Sequence, residues 1–361
     1  MAKDYNRLIE NVKSRSNPSQ INESELFQKS FNDELGQLRA SGSRVLEYVK
    51  RSMKSVDQQY TSNTIIAGEK VKDQLMKSNS SLDFRFQGSV MSNTHIKGYS
   101  DIDLIQITNS FYFHENVENF RSKFYTAYGM SDKQSRNLLN VMNGTPYLGS
   151  EVNNLREIRI NAEDVLTRNY KYVKTSKSKS IEVNLTSPER LVDVVTASWY
   201  KTVDSEFNDN EIYKGVQVYD KDSNSRLPVD YPFLKIELLD KKNNETNDRL
   251  KKMIRFLKTL KADSDQNFKE FSSFDICSVC YNIPIQNYIA FPYYQLVYVL
   301  HTEFNKILSN ESYRNAIKSI DGTEYIFYNK PRKVELLRLL SQELSAIYYD
   351  LLPSVSILKY L

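Results

Sequence analysis

Apolar positions recur along this chain in two rhythms, and the changes of rhythm divide it. From residue 1 to about 80 the spacing is that of one-sided helices, with Leu35, Leu38, Val45, Leu46 and Val49 as one such series. A short strand is predicted from Leu82 to Gly88. A longer one covers Asp101 to Thr108 (DIDLIQIT), β-branched and apolar, ending at the polar pair Asn109-Ser110. Helices are expected around Val117 to Tyr128 and Asp132 to Met142, while the rest of 111–165 follows no single period. Two more strands, Ser180 to Leu185 (SIEVNL) and Arg190 to Ala197 (RLVDVVTA), flank a predicted turn at Thr186-Ser187-Pro188-Glu189. Residues 200–233 read as loop, and from Asn247 the chain reads as helix to its end. Helices, then a small mixed sheet, then a helical lobe make an α+β, bilobal pattern rather than a doubly wound one. The lobes are expected to be 1–200, with the N-terminal helices and the sheet, and 201–361.

Composition changes this picture little. At 361 residues, 40% hydrophobic and 26% charged, the chain has the balance of an ordinary globular protein with more than one core. No stretch reaches the roughly 20 apolar residues of a membrane span. The most apolar run, Ile289 to Leu300, is broken by Pro292, and the N-terminus lacks an apolar signal region. A cytoplasmic location without membrane contact is therefore expected. Cys277 and Cys280 form a lone C-x-x-C with no second ligand pair, so they read as small core residues of a helix. A net charge of +4 does not argue for nucleic acid, although basic residues crowd Lys171 to Lys179 and Arg249 to Lys261. The first stretch reads as a solvated hairpin tip, with the wall of a polynucleotide channel as the alternative. The second is an amphipathic helix with Leu250, Met253, Ile254 and Leu257 on one face and Lys251, Arg255 and Lys258 on the other.

The candidate chemistry is acidic. Asp101 and Asp103 lie two apart in a strand, so both side chains project from one face. Two carboxylates placed so repel each other unless a cation lies between them, and magnesium, which prefers oxygen ligands, suits the gap. Taken alone the D-x-D triplet is a weak signal, because strand ends often carry solvated aspartates. Gly88-Ser89, just upstream and at the end of a strand, adds a backbone that phosphate oxygens can approach and a hydroxyl that can donate to them. A third carboxylate completes a two-metal site. Asp193 is the first candidate, since an ionised group inside Leu191-Val192-Asp193-Val194-Val195 needs a partner. Glu182 and Asp164 are the alternatives.

Taken together, these residues resemble the DNA polymerase β-like nucleotidyltransferase superfamily, whose signature is a Gly-Ser, a D-x-D about a dozen residues later and a third Asp on a neighbouring strand. Within it, Gly88-Ser89 through Thr94-His95-Ile96-Lys97 to Ser100-Asp101-Ile102-Asp103-Leu104 is similar to the cGAS/DncV-like nucleotidyltransferases. Ile254-Arg255-Phe256-Leu257-Lys258 looks like that family's spine helix, and Ser272-Ser273-Phe274-Asp275-Ile276 like the start of the helix after it. The resemblance covers roughly residues 80 to 285. It implies a polymerase β-like catalytic lobe, a helical lobe similar to that of oligoadenylate synthase, and two Mg²⁺ ions, or Mn²⁺, held by Asp101, Asp103 and Asp193. It also implies nucleotide contacts from Gly88, Ser89, Lys258 and Ser272 or Ser273.

The implied activity is template-independent synthesis of a cyclic di- or trinucleotide messenger from ATP or another NTP, with pyrophosphate release, in bacterial anti-phage (CBASS) signalling. The implied partners are a cyclic-nucleotide-gated effector, reached through the product, and a regulatory protein. The Cys and His ligands of the animal sensor's zinc ribbon are missing, so activation by DNA is not expected. The alternatives are a linear RNA-tailing or tRNA-modifying nucleotidyltransferase and a nucleotide-binding protein without catalysis.

Overall fold

The computed structural model describes residues 3–15, 43–96, 98 and 101–358. In chain order its elements begin with α1 (Tyr5–Arg15), α2 (Arg44–Met53), α3 (Gln58–Ser78), β1 (Asp83–Gln87), α4 (Gly88–Met91) and β2 (Ile102–His114). Then come α5 (Val117–Thr126), α6 (Asp132–Met142), α7 (Glu151–Asn169), β3 (Tyr172–Lys174), β4 (Ser180–Thr186), β5 (Glu189–Lys201) and α8 (Val203–Phe207). The chain continues through β6 (Gly215–Asp220), β7 (Ser225–Arg226), α9 (Pro232–Glu245), α10 (Arg249–Asp263), α11 (Ser273–Asn282), α12 (Ile285–Ile289), α13 (Leu296–Ser309), α14 (Glu311–Ala316) and α15 (Pro331–Leu358). This is the expected α+β composition. Leu35 and Leu38 lie outside the described residues, whereas Val45, Leu46 and Val49 are buried as their spacing predicts.

The chain forms two compact units, but not the expected pair. An α/β unit takes 61–92 and 100–237, and a helical unit takes 1–60, 93–99 and 238–361. The boundary expected at 200/201 falls at 237/238 because β6 and β7 pair onto the sheet. The first helices leave the sheet's unit because α1 and α2 share a core with the late helices. Leu8, Ile9, Val12, Val45 and Leu46 belong to the same buried cluster as Leu257 and Leu340. Apolar periodicity shows which face of a helix is buried but not which helix buries it.

In the α/β unit the strands run β1-β2-β5-β4-β3, with β6 on β5 and β7 on β6. β2 and β5 are parallel, and β1–β2, β4–β5 and β3–β4 are antiparallel. One face of this sheet packs on two helices: Ala67, Val71 and Leu75 of α3 and Ile158, Ala162 and Leu166 of α7 meet Leu104, Ile181 and Val194. The spacing of those α7 residues is helical, and Ser150 caps the helix by accepting from the Asn153 amide at 3.3 Å. Two details depart from expectation. β2 runs past Asn109-Ser110, because its pairing with β5 resumes beyond a register shift between Thr108 and Tyr112. The stretch 200–233 holds β6, which pairs antiparallel with residues 197–200 of β5.

In the helical unit α10 is the central helix. Leu250, Met253, Ile254, Phe256, Leu257 and Leu260 are buried, and so are Lys252, Arg255 and Lys258. The basic face expected on the second side of this helix is enclosed rather than solvated.

Candidate active site

Strand pairing builds the site as a row across the sheet. Gln87 of β1 lies opposite Asp103 of β2, Asp103 opposite Asp193 of β5, Asp193 opposite Glu182 of β4, and Glu182 opposite Lys174 of β3. Residues directly opposite share a face, with Cβ atoms about 5 Å apart. Their chain neighbours Ile102, Leu104, Val192, Val194, Ile181 and Val183 point into the helix-covered core, so Asp103, Asp193 and Glu182 stand together on the other face. Asp101 precedes Asp103 by two residues, just before β2 begins. The structure therefore brings Asp101, Asp103 and Asp193 together and adds Glu182. Asp164 pairs instead with Arg168, an exposed contact on the surface of α7.

Like charges opposite one another on a sheet repel, and the protonation equilibria record it. Burial first, then the charges of Asp193 and Asp101, push the Asp103 carboxyl up to about 7. Asp101 is also raised, by burial and then by Asp193 and Glu182. Among the described residues, the cation bonded to the row's acids is Lys177, from the β3–β4 connection. Its Nζ lies 2.6 Å from Glu182 Oε2 and 3.0 Å from Asp193 Oδ1, and the Ser180 hydroxyl donates to the same Asp193 oxygen at 3.1 Å. Burial would lower the Lys177 ammonium, but its bonds to Glu182 and Asp193 outweigh that and raise it. The loop expected to be a solvated tip thus carries an inward-pointing lysine, for which sequence offered only the general basic character of 171–179. Among the described residues, no three acidic, imidazole or thiol side chains converge closely enough to cage an ion as they stand; Asp193 and Glu182 are drawn to Lys177.

Gly88 and Ser89 open α4 where β1 ends, and Gly88 has φ +85°. A Cβ at Gly88 would collide with the Asp103 carboxylate oxygen. The glycine that sequence reasoning reserved for a phosphate first of all lets Asp103 lie against the backbone. Ser89 is half-buried beside it.

The remaining predicted residues belong to the helical unit. Lys258 Nζ donates to the Thr94 carbonyl at 2.9 Å and lies 3.3 Å from its hydroxyl, while Arg255 donates to the carbonyls of Met53 and Asn93, both at 2.9 Å. Burial lowers the Lys258 ammonium. These two cations thereby hold the segment 93–96 that follows Gly88-Ser89 in the chain; Lys97 and Ser100 lie outside the described residues. Ser272 is the N-cap of α11, donating to Asp275 Oδ2 at 2.9 Å and accepting from the Asp275 amide at 3.2 Å. Ser273, the first residue of α11, is exposed. Two lysines reach this helix start: Lys261, whose Nζ bonds the Phe271 carbonyl at 2.5 Å, and Lys333, whose Nζ bonds Asp275 Oδ1 at 2.5 Å. Sequence reasoning passed over Lys261, although it lies three residues, one helical turn, beyond Lys258. Cys277 and Cys280 are buried, unbridged core residues, as expected.

Known proteins match both units. Residues 237–348 match the cGAS/DncV-like nucleotidyltransferase C-terminal helical domain. The chain is similar to the c-di-GMP synthase of a Flavobacteriaceae species, with 40% identity over 97% of this chain and 98% of that protein. It is equally similar to the c-di-GMP synthase of Capnocytophaga granulosa, at 40% identity over 97% and 98%. Among solved structures, a STING-associated CdnE c-di-GMP synthase from Flavobacteriaceae sp. superposes with a TM-score of 0.83 at 38% identity, covering 97% of this chain and 99% of that one. Among the described residues no helix is long and apolar enough to cross a membrane. With likeness at this level across nearly the whole length, the chain belongs to the cGAS/DncV-like nucleotidyltransferases, enzymes that join nucleoside triphosphates into cyclic nucleotide messengers.

Proposed function

We propose that this enzyme condenses two molecules of GTP into cyclic di-GMP, using divalent metal held by Asp101, Asp103 and Asp193. The row of facing carboxylates carries the reading. Its groups are all hard oxygen donors, and the raised Asp103 carboxyl marks a site short of positive charge. The cGAS/DncV-like family generally uses divalent metal, and magnesium suits such a donor set. The choice of GTP rests on the names of the relatives that are 40% identical.

A bound pair of Mg²⁺ ions would supply Lewis-acid polarisation of the α-phosphate and of the attacking ribose hydroxyl. The chain's own residues do the rest. Asp193 accepts the proton of the attacking hydroxyl as the new P–O bond forms and pyrophosphate departs; repeating this between the two free ends closes the ring. Gly88 lets Asp103 sit against the backbone, and the Ser89 hydroxyl donates to a phosphate oxygen. Ser273 and one lysine of the helical unit bind triphosphate. Lys258 serves only by exchanging the Thr94 carbonyl for a phosphate oxygen, whereas Lys261 already stands at the start of α11. The product would act through a nucleotide-gated effector.

The test is incubation with α-labelled GTP, ATP, or both, in Mg²⁺. A phosphatase-resistant product from GTP alone, with the mass of cyclic di-GMP, is expected. A product that requires ATP overturns the substrate choice, and extension of added RNA alone overturns the cyclic reading.

A further inference from the structure

The connection between β3 and β4 is anchored as a frame for one side chain. Arg159 of α7, fully buried, donates through Nη2 to the backbone carbonyls of Lys177 at 3.0 Å and Ser180 at 2.9 Å. Its Nε bonds Glu163 Oε1 at 2.8 Å, and Lys221 Nζ bonds that same oxygen at 2.8 Å. The Lys221 amide donates to the Ser178 carbonyl at 2.9 Å, tying the loop from its other side. The Lys177 backbone is therefore held independently of its ammonium. The ammonium meets Asp193 with both oxygens, at 3.0 and 3.3 Å, as well as Glu182. The Lys177 side chain is 32% exposed while Asp193 is 17% exposed, so the lysine reaches the row from the solvent side.

We propose that Lys177 is a built-in placeholder cation, which neutralises Asp193 and Glu182 until a divalent ion displaces it from the third carboxylate. The proposal rests on the metal reading given above and extends it to a residue outside the signature. Among the described residues, Lys177 is the cation bonded to this row of carboxylates, through Asp193 and Glu182, so Asp101 and Asp103 keep a negative excess that still attracts a dication. An ammonium bonded to both Asp193 oxygens stands where a dication would coordinate and repels it. Metal entry at Asp193 thus requires the lysine to leave, and with its backbone pinned by Arg159 it leaves by side-chain rotation alone. The exchange costs binding energy, so the enzyme takes up free metal weakly. Metal arriving with a triphosphate, which brings its own oxygens, is favoured.

The measurement is binding of Mn²⁺ to the full-length protein without nucleotide, followed by electron paramagnetic resonance of the free ion. Removing the competing charge in Lys177→Met should tighten binding roughly tenfold, the equivalent of one ion pair worth about 1.4 kcal/mol. Lys177→Arg, which keeps the charge, should stay within about threefold of the parent. If the Met variant fails to fold, Lys177→Gln replaces it. Equal or weaker Mn²⁺ binding in the neutral variant overturns the placeholder. Asp103→Asn separates this from the metal reading: lost binding there with no effect at Lys177 sinks only the placeholder, whereas undiminished binding in Asp103→Asn sinks the metal site.

Discussion

The two units bury charge in opposite ways. In the α/β unit, carboxylates face carboxylates along one row, with Lys177 bonded to two of them. In the helical unit, Arg255 and Lys258 are buried more deeply than those half-buried acids, yet both are answered by backbone carbonyls. A buried ion whose hydrogen bonds are satisfied is part of the scaffold; a set of like charges held together against repulsion marks a binding site, because the fold keeps it at a cost to stability. The difference shows which charges are available for chemistry and which are committed to structure.

The sharpest break of that comparison is Asp101→Asn with Asp103→Asn. Product formation from GTP should fall by at least about a thousandfold, as for loss of metal ligands at a catalytic centre. The thermal midpoint of the metal-free protein should hold or rise, because repulsion is relieved. Surviving turnover would remove these residues from the site.

Next in size is the pH dependence of stability without metal. The Asp103 carboxyl titrates near 7 in the fold and near 3.9 when unfolded. Between those values the folded state holds the extra proton, so stability is fully present below about pH 4 and is lost as pH rises through 7. At about 1.4 kcal/mol per pH unit the loss is on the order of 4 kcal/mol. Denaturant midpoints from pH 4 to 8 in chelator should show it, and Asp103→Asn should flatten that slope.

Lys258→Met tests the opposite side. It leaves the Thr94 carbonyl without its ammonium, so unfolding free energy should drop by about 2–3 kcal/mol. A variant as stable as the parent would show that the lysine is held for a ligand rather than for the fold. The smallest effect is expected for Lys261→Met: a KM for GTP raised several-fold, with stability falling less than in Lys258→Met because Lys261 is only half-buried at its bond to the Phe271 carbonyl. If Lys258→Met raises KM and Lys261→Met does not, the phosphate contact belongs to Lys258.

Much of the sheet was legible because strand chemistry is local. β-Branched runs on either side of a Pro-containing turn mark β4 and β5, and the apolar run after Asp101 marks β2. β6 was missed because its partner, the far half of β5, lies outside any local window. The extension of β2 past Asn109-Ser110 was missed for the same reason, since it depends on pairing resumed beyond a bulge. Asp193 was found as a charge inside an apolar strand, a signal visible in the sequence alone. Lys177 and Lys261 were not, because one basic residue among several gives no sign of which way it points.

What the sequence determined by itself is the inventory and the faces. Period-two alternation puts Asp103 on one side of β2, with Asp101 two residues before it at the strand's start, and Asp193 on one side of β5, and helical spacing names the core positions of α2 and α10. Only the tertiary structure decided the rest. Strand register set Asp103 against Asp193 and Asp193 against Glu182. Long-range packing gave Lys177 to the acids, Lys258 to Thr94, and the first helices to the C-terminal core. A side chain's face follows from its own backbone, but its partner follows from which distant segment the chain brings alongside.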